Sequence, residues 1–251
     1  MSIEELFSKR RQIRAAWDYE KIPSKELIHS LLSRTLNISP SKQNLYPFKI
    51  HAFGPDDENE RRIVEQICCL YTSGSVNNWE ESPEFIAQNR VSKVQKDAPW
   101  VLVFELRKCK ANTFVKEYGE MHDGGNAQNR FTQIDENRFR EGANKTLSGI
   151  ETGMFIKCLA GLCLENNLAI SYIKSFPEWT WKGQRSEYSK NRNKVGLSWD
   201  SLPQITEAPL IVVQIGYKAA IDDLLATNVN DPSRPFLEDK PSIDEIVQFK
   251  D

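Results

Sequence analysis

The side chains best suited to covalent or metal chemistry are not arranged for it in this sequence. The five cysteines are Cys68, Cys69, Cys109, Cys158 and Cys163. An odd number, with two adjacent and two set five apart in an apolar stretch, gives neither a disulfide framework nor a paired metal-ligand spacing, so they read as buried or incidental thiols. His29, His51 and His122 are scattered, none a helical turn from another, and no metal site is expected from them. No nucleophilic triad can be picked out, and no side chain is assigned a catalytic role. What remains is a basic cluster, Lys9, Arg10, Arg11 and Arg14, and a run of small polar residues, Ser39-Pro40-Ser41-Lys42-Gln43-Asn44. Taken alone, the first is a solvated helix end and the second a good turn.

Such groups need elements to hold them. Ser2 and Glu5 form a capping-box pattern that opens a short helix leading into the basic cluster. After Pro23 and a cap at Ser24, Leu27, Ile28, Leu31, Leu32 and Leu36 repeat near the helical period, and this helix is expected to end before Asn37 to Pro40. Alternation from Pro47 to Phe53, with Phe48, Ile50 and Ala52 on one side and Lys49 and His51 on the other, predicts a half-buried strand closed by Gly54-Pro55. Asp57 to Tyr71 reads as a helix with Ile63, Ile67, Leu70 and Tyr71 on one face, and another helix is expected from Ser82-Pro83. PWVLVFEL, Pro99 to Leu106, reads as a strand covered on both faces.

From about 108 to 145 the chain turns polar, with Gly124-Gly125 and the aromatics Phe114, Tyr118, Phe131 and Phe139, which describes a loop or lid. Leu147 to Leu164 carries Ile150, Met154, Phe155, Cys158, Leu159, Leu162 and Cys163 around most of a helix, marking it as central and buried. Strands follow at Leu168 to Lys174 and Pro209 to Tyr217, separated by an excursion rich in Trp, Lys and Arg. The tail from about 231 to 251 has too few apolar residues for a core of its own and must dock on its own body or on a neighbour. Four strands interleaved with helices imply an α+β architecture, with residues 1–251 as a single domain.

The net charge of -2, from 33 basic and 35 acidic side chains, favours neither nucleic acid nor an anionic membrane as partner. No apolar run approaches the roughly 18 residues of a membrane span, and the amino terminus has no secretory pattern. A cytoplasmic protein with a small-molecule or protein partner is the expectation.

Four segments in order resemble the nitroreductase family of FMN proteins. Arg10-Arg11-Gln12-Ile13-Arg14 is similar to the family's basic motif R-R-S-x-R, with Gln12 where Ser is usual. The resemblance implies that Arg10 and Gln12 contact the flavin phosphate and ribityl chain, that Arg11 belongs to the same motif, and that Arg14 reaches the pyrimidine edge. Ser39 to Phe48 resembles the loop A-P-S-x-x-N-x-Q-P-W, giving Pro40, Ser41 and Asn44 contacts to a flavin held mainly by the other subunit; Tyr46 stands for the usual Gln and Phe48 for Trp. The central helix with Asn167-Leu168 to Phe176 resembles the buried helix and "G-L" strand whose end places backbone near flavin N5, here at Lys174 and Ser175. Pro209 to Tyr217, ending Ile215-Gly216-Tyr217, resembles the last strand, and Arg234 the later arginine over the phosphate, with Pro232 where some members carry a second base.

The resemblance therefore implies a nitroreductase-like fold: a central, mostly antiparallel sheet flanked by helices, with a carboxy-terminal arm exchanged in a homodimer. The implied activity is hydride transfer from NADPH or NADH through FMN to a small electrophile such as a nitroaromatic or quinone, in ping-pong order. The lid and a 176–190 excursion, with Phe114, Tyr118, Phe131, Phe139, Trp179 and Trp181, would select planar substrates. Alternatives are a specialised flavin enzyme of the same fold (a dehalogenase, or one that fragments flavin), a non-catalytic FMN-binding or storage protein, and a helical interaction protein without cofactor.

Overall fold

A computed structural model describes residues 2–8, 17–41, 46–72, 98–107, 142–173, 199–207 and 209–219. The capping box forms as written: the Ser2 N–H donates to Glu5 Oε2 at 2.7 Å and the Glu5 N–H to Ser2 Oγ at 3.1 Å, opening α1 (Ile3–Ser8). Helix α2 (Lys25–Ile38) is capped by Ser24, whose hydroxyl accepts the Leu27 N–H at 3.2 Å, and it buries Ile28, Leu31 and Thr35. Then come β1 (Phe48–Phe53), α3 (Glu58–Thr72), β2 (Trp100–Leu106), α4 (Gly142–Glu165), β3 (Ala169–Ile173), a 3-10 turn at Trp199–Ser201 and β4 (Pro209–Gly216).

The four strands form one sheet in the order β1-β2-β4-β3, every pair antiparallel. β2 lies inside the sheet, and all seven of its residues are buried, as its uninterrupted apolar run requires. One face packs Phe53, Val101, Val103 and Val212 against Val64, Ile67 and Cys68 of α3 and against Trp199, Leu202 and Ile205. The other packs Phe48, Trp100, Leu102, Phe104, Val213 and Ile215 against Ile28 and Leu31 of α2 and Phe155, Leu159 and Leu162 of α4. Phe48, Phe104 and Phe155 meet with ring centroids 5.0–6.0 Å apart. This α+β arrangement of helices on both faces of an antiparallel sheet is the expected one. No described helix is long and apolar enough to cross a membrane.

Several expectations change in detail. α2 continues through Asn37 and Ile38, because the Ser39 N–H still reaches the Thr35 carbonyl at 2.8 Å and only Pro40 ends the pattern. Leu36 is 46% exposed, so the buried stripe passes through Thr35 instead, whose hydroxyl is satisfied by the Leu31 carbonyl. In β1 both faces are partly covered: Ala52 is exposed, whereas the His51 side chain is tucked toward Glu105. α4 starts at Gly142, so the last residues of the 108–145 stretch are helical; Ala143 to Thr146 contain no breaker. Ile150, expected in the core, is 54% exposed. The helix expected from Ser82, most of the lid, the 176–190 excursion and the tail lie outside the described residues.

α4 ends where Asn167 takes φ 57°, with the Leu168 N–H on the Cys163 carbonyl at 2.8 Å and the Asn167 N–H on that of Leu164 at 3.1 Å. This is a Schellman ending with Asn in the left-handed position. It turns the chain directly into β3.

Candidate functional site

Of the residues to which the resemblance assigns flavin contacts, Pro40 and Ser41 lie among the described ones; Arg10, Arg11, Gln12, Arg14, Asn44, Lys174, Ser175 and Arg234 lie outside them. Pro40 is exposed and follows the end of α2. Ser41 is half-buried, and its hydroxyl is the hub of the local structure. It donates to Glu151 Oε2 of α4 at 2.5 Å and accepts the Tyr46 N–H at 2.8 Å. A serine oxygen has one proton and two lone pairs. Its proton is thus committed to Glu151, and among the described residues its second lone pair meets no donor.

Tyr46 explains its own departure from the family pattern. It sits at φ 45°, a left-handed conformation that costs an ordinary residue roughly 1–2 kcal/mol. Its phenol lies 2.8 Å from the Leu36 carbonyl and 3.0 Å from that of Ser39, tying it to the end of α2. Its carbonyl accepts the Phe48 N–H at 2.7 Å and Arg107 Nε at 3.0 Å. The tyrosine is a clasp across the loop, a role that its ring and hydroxyl can fill from a strained backbone.

Strand register orients the described elements that flank the other segments. The loop enters β1 at Phe48, opposite Leu106, and β3 runs toward that same end of the sheet, its last residue Ile173 opposite Val212. Lys174 follows directly. The basic motif is bracketed by α1 and Trp17. Phe7 of α1 packs over Gly161 of α4, with Lys157 Nζ 3.7 Å from the ring centroid, a cation–π contact. Trp17, 2% exposed, bridges to Lys218 just beyond β4, and the Asp18 N–H donates to the Tyr217 carbonyl at 2.8 Å. On α4, Gly149 and Gly153 are one turn apart, and an added Cβ on either would meet nothing within 4 Å. Together with the exposed Ile150 they leave an open strip beside the Glu151–Ser41 contact.

Two carboxylates with defined work were not singled out in the sequence. Glu151 is one, in the middle of α4. Glu105 is the other, the only charge in PWVLVFEL. It is 1% exposed, its Oε2 accepts the Thr206 N–H at 2.9 Å and the Glu207 N–H at 3.3 Å, and its Oε1 lies 3.0 Å from His51 Nε2 and 3.7 Å from Lys49 Nζ. Burial pushes this carboxyl up, but the His51 ring and the two backbone amides outweigh it and hold it below the usual carboxylate range. Cys163 is the reverse case: burial alone pushes its thiol up to about 12, which leaves it inert.

The three-layer arrangement and its strand order define a nitroreductase-like fold. It is shared with a nitroreductase-like protein from Streptococcus mutans, at TM-score 0.54 and 13% identity over 99% of this chain and 98% of that one. A provisionally named nitroreductase from Exiguobacterium sibiricum, crystallised in complex with FMN, matches at TM-score 0.54 and 16% identity over 100% and 98%. A provisionally named NAD(P)H:FMN oxidoreductase from Staphylococcus epidermidis matches at 0.52 and 13% over 99% and 96%. At these identities the likeness is one of fold. No protein-family model and no curated protein matches the sequence.

Proposed function

We propose that the chain is an FMN-dependent oxidoreductase, acting as a homodimer, that uses NADPH or NADH to reduce a small electrophile such as a nitroaromatic or quinone. The observation that carries this reading is the nitroreductase-like sheet itself, whose two outer strands, β1 entered from the Pro40–Ser41 loop and β3 running out toward Lys174, have those ends on the same side of the sheet. The residues present suit the cofactor. Among the described residues one lone pair of Ser41 meets no donor and could take a ring N–H, and an added Cβ at Gly149 or Gly153 would meet nothing within 4 Å.

FMN, when bound, supplies the hydride chemistry at its N5, and the protein supplies binding and orientation. Arg10, Arg11 and Arg234 would hold the phosphate, guanidinium groups being suited to charge-assisted hydrogen bonds with its oxygens, with Gln12 serving the ribityl chain and Arg14 the pyrimidine edge, where a positive charge would favour the anionic reduced ring. Pro40, Ser41 and Asn44 would serve the flavin of the second subunit. Lys174 and Ser175 would serve N5 through their main-chain N–H groups, so their side-chain identity would matter less. With one ring face open, nicotinamide and oxidised substrate take the same place in turn, giving ping-pong kinetics. In such a homodimer the exposed Ile38 and Ile150, at 57% and 54%, are candidates for cover by the second subunit.

The test is the visible spectrum of the purified protein. A flavin band near about 450 nm that bleaches anaerobically on addition of NADPH or NADH is expected. A colourless protein that takes up no added FMN overturns the reading, whereas a yellow protein indifferent to both nicotinamides fits FMN storage instead.

A further inference from the structure

We propose that Glu151 is a positioning residue for flavin binding, acting through Ser41; this rests on the FMN reading given above. Glu151 projects from α4 beside the open Gly149–Gly153 strip and takes the only hydroxyl proton of Ser41 in a 2.5 Å bond, within the range of charge-assisted O–H···O⁻ contacts. A free serine hydroxyl rotates and can present either its proton or a lone pair. Here the rotation is arrested. The proton points at the carboxylate, one lone pair receives the Tyr46 N–H, and the second lone pair has a fixed direction.

Two consequences follow. Ser41 meets the flavin only as an acceptor, so its partner on the cofactor is a donor such as a ring N–H or a ribityl hydroxyl. Glu151 also ties the loop to α4: one hydroxyl holds both Ser41 and Tyr46, whose remaining polar groups clasp the end of α2 and Arg107. Removing the carboxylate frees the serine proton and loosens the loop from the helix, without deleting any group that itself touches FMN.

The test is a double-mutant cycle on FMN affinity, measured by quenching of flavin fluorescence in apoprotein, alongside thermal unfolding of each variant. Glu151→Ala is expected to weaken FMN binding about tenfold, a loss of about 1.4 kcal/mol. Glu151→Gln, which keeps an acceptor oxygen but not the charge, falls in between. In a Ser41→Ala background Glu151→Ala adds nothing, because the two act as one unit. Equal affinity for wild type and Glu151→Ala overturns the proposal. So does the same fold-loss with or without Ser41, since Glu151 then acts independently. Should Glu151→Ala not fold, Glu151→Gln completes the same cycle with the same criteria. Wild-type protein that binds no FMN removes the flavin reading and this role with it, an outcome distinct from a binding wild type whose cycle shows no coupling.

Discussion

The Glu105 carboxylate shows how one buried charge can be satisfied by the backbone it organises. The amides of Thr206 and Glu207 point at it from the connection into β4, and His51 and Lys49 face it from β1. Because its folded-state pKa lies below its unfolded value, the stabilisation is complete above the unfolded value and disappears as pH falls through the folded one. Urea unfolding of wild type should therefore weaken below about pH 4, and Glu105→Gln should flatten that part of the profile. At pH 7 Glu105→Ala, which removes the acceptor of the part-buried Thr206 and Glu207 amides, should cost about 1–2 kcal/mol. A profile unchanged by Glu105→Gln would show that the carboxylate contributes nothing through its charge. Asn167 gives a second residue-scale check. At φ 57° Asn is tolerated, Gly would be relaxed and Ala strained. Asn167→Gly should be neutral or slightly stabilising in a thermal melt, and Asn167→Ala destabilising by about 1 kcal/mol.

The elements were the most legible part of the sequence, because each carries its own periodicity and its own end signals. The Ser2–Glu5 box, the Ser24 cap and the run from Trp100 to Leu106 all appear where their chemistry puts them. The misplacements have local causes. Helix α2 outran its expected end because Asn37 and Ile38 keep the hydrogen-bond ladder going, the Ser39 N–H still reaching the Thr35 carbonyl, until Pro40. Ile150 looked like core because apolar type does not reveal what covers a surface. Glycines carry close contacts that periodicity cannot show: a Cβ at Gly54 would fall 2.5 Å from the Trp100 ring, and one at Gly216 would fall 2.5 Å from Pro99 and 2.7 Å from Trp17. Gly216→Ala should thus destabilise by about 1–3 kcal/mol through overpacking. A melt within error of wild type would mean the Pro99–Trp17 notch yields freely. Docking of α1 belongs to this scale as well. Phe7→Ala removes the ring from Gly161 and Lys157 and should weaken FMN binding by releasing the start of the basic motif, with little effect on the sheet.

At the level of the whole molecule, the α+β fold could be read from the order of elements and from four short resemblances, and the structure has that fold. The candidate site was readable only in part. Pro40 and Ser41 stand just before β1, but the bond that fixes Ser41 comes from Glu151, more than a hundred positions away in sequence, and no local pattern announces it. The proposed dimer would likewise be a property of surfaces and not of periods. Ile150→Lys places a charge on the exposed strip of α4 and should convert a dimer to monomer in sedimentation velocity, with FMN affinity falling in parallel. A dimer that survives the change would put the subunit contact elsewhere. The most direct test of the central claim compares FMN with riboflavin, which lacks the phosphate, in equilibrium titrations of the apoprotein. The expected result is one FMN per chain, bound at least about tenfold more tightly than riboflavin, with the difference abolished when Arg10 and Arg234 are both replaced by Ala. Failure to bind FMN, or equal affinity for the two flavins, would contradict it.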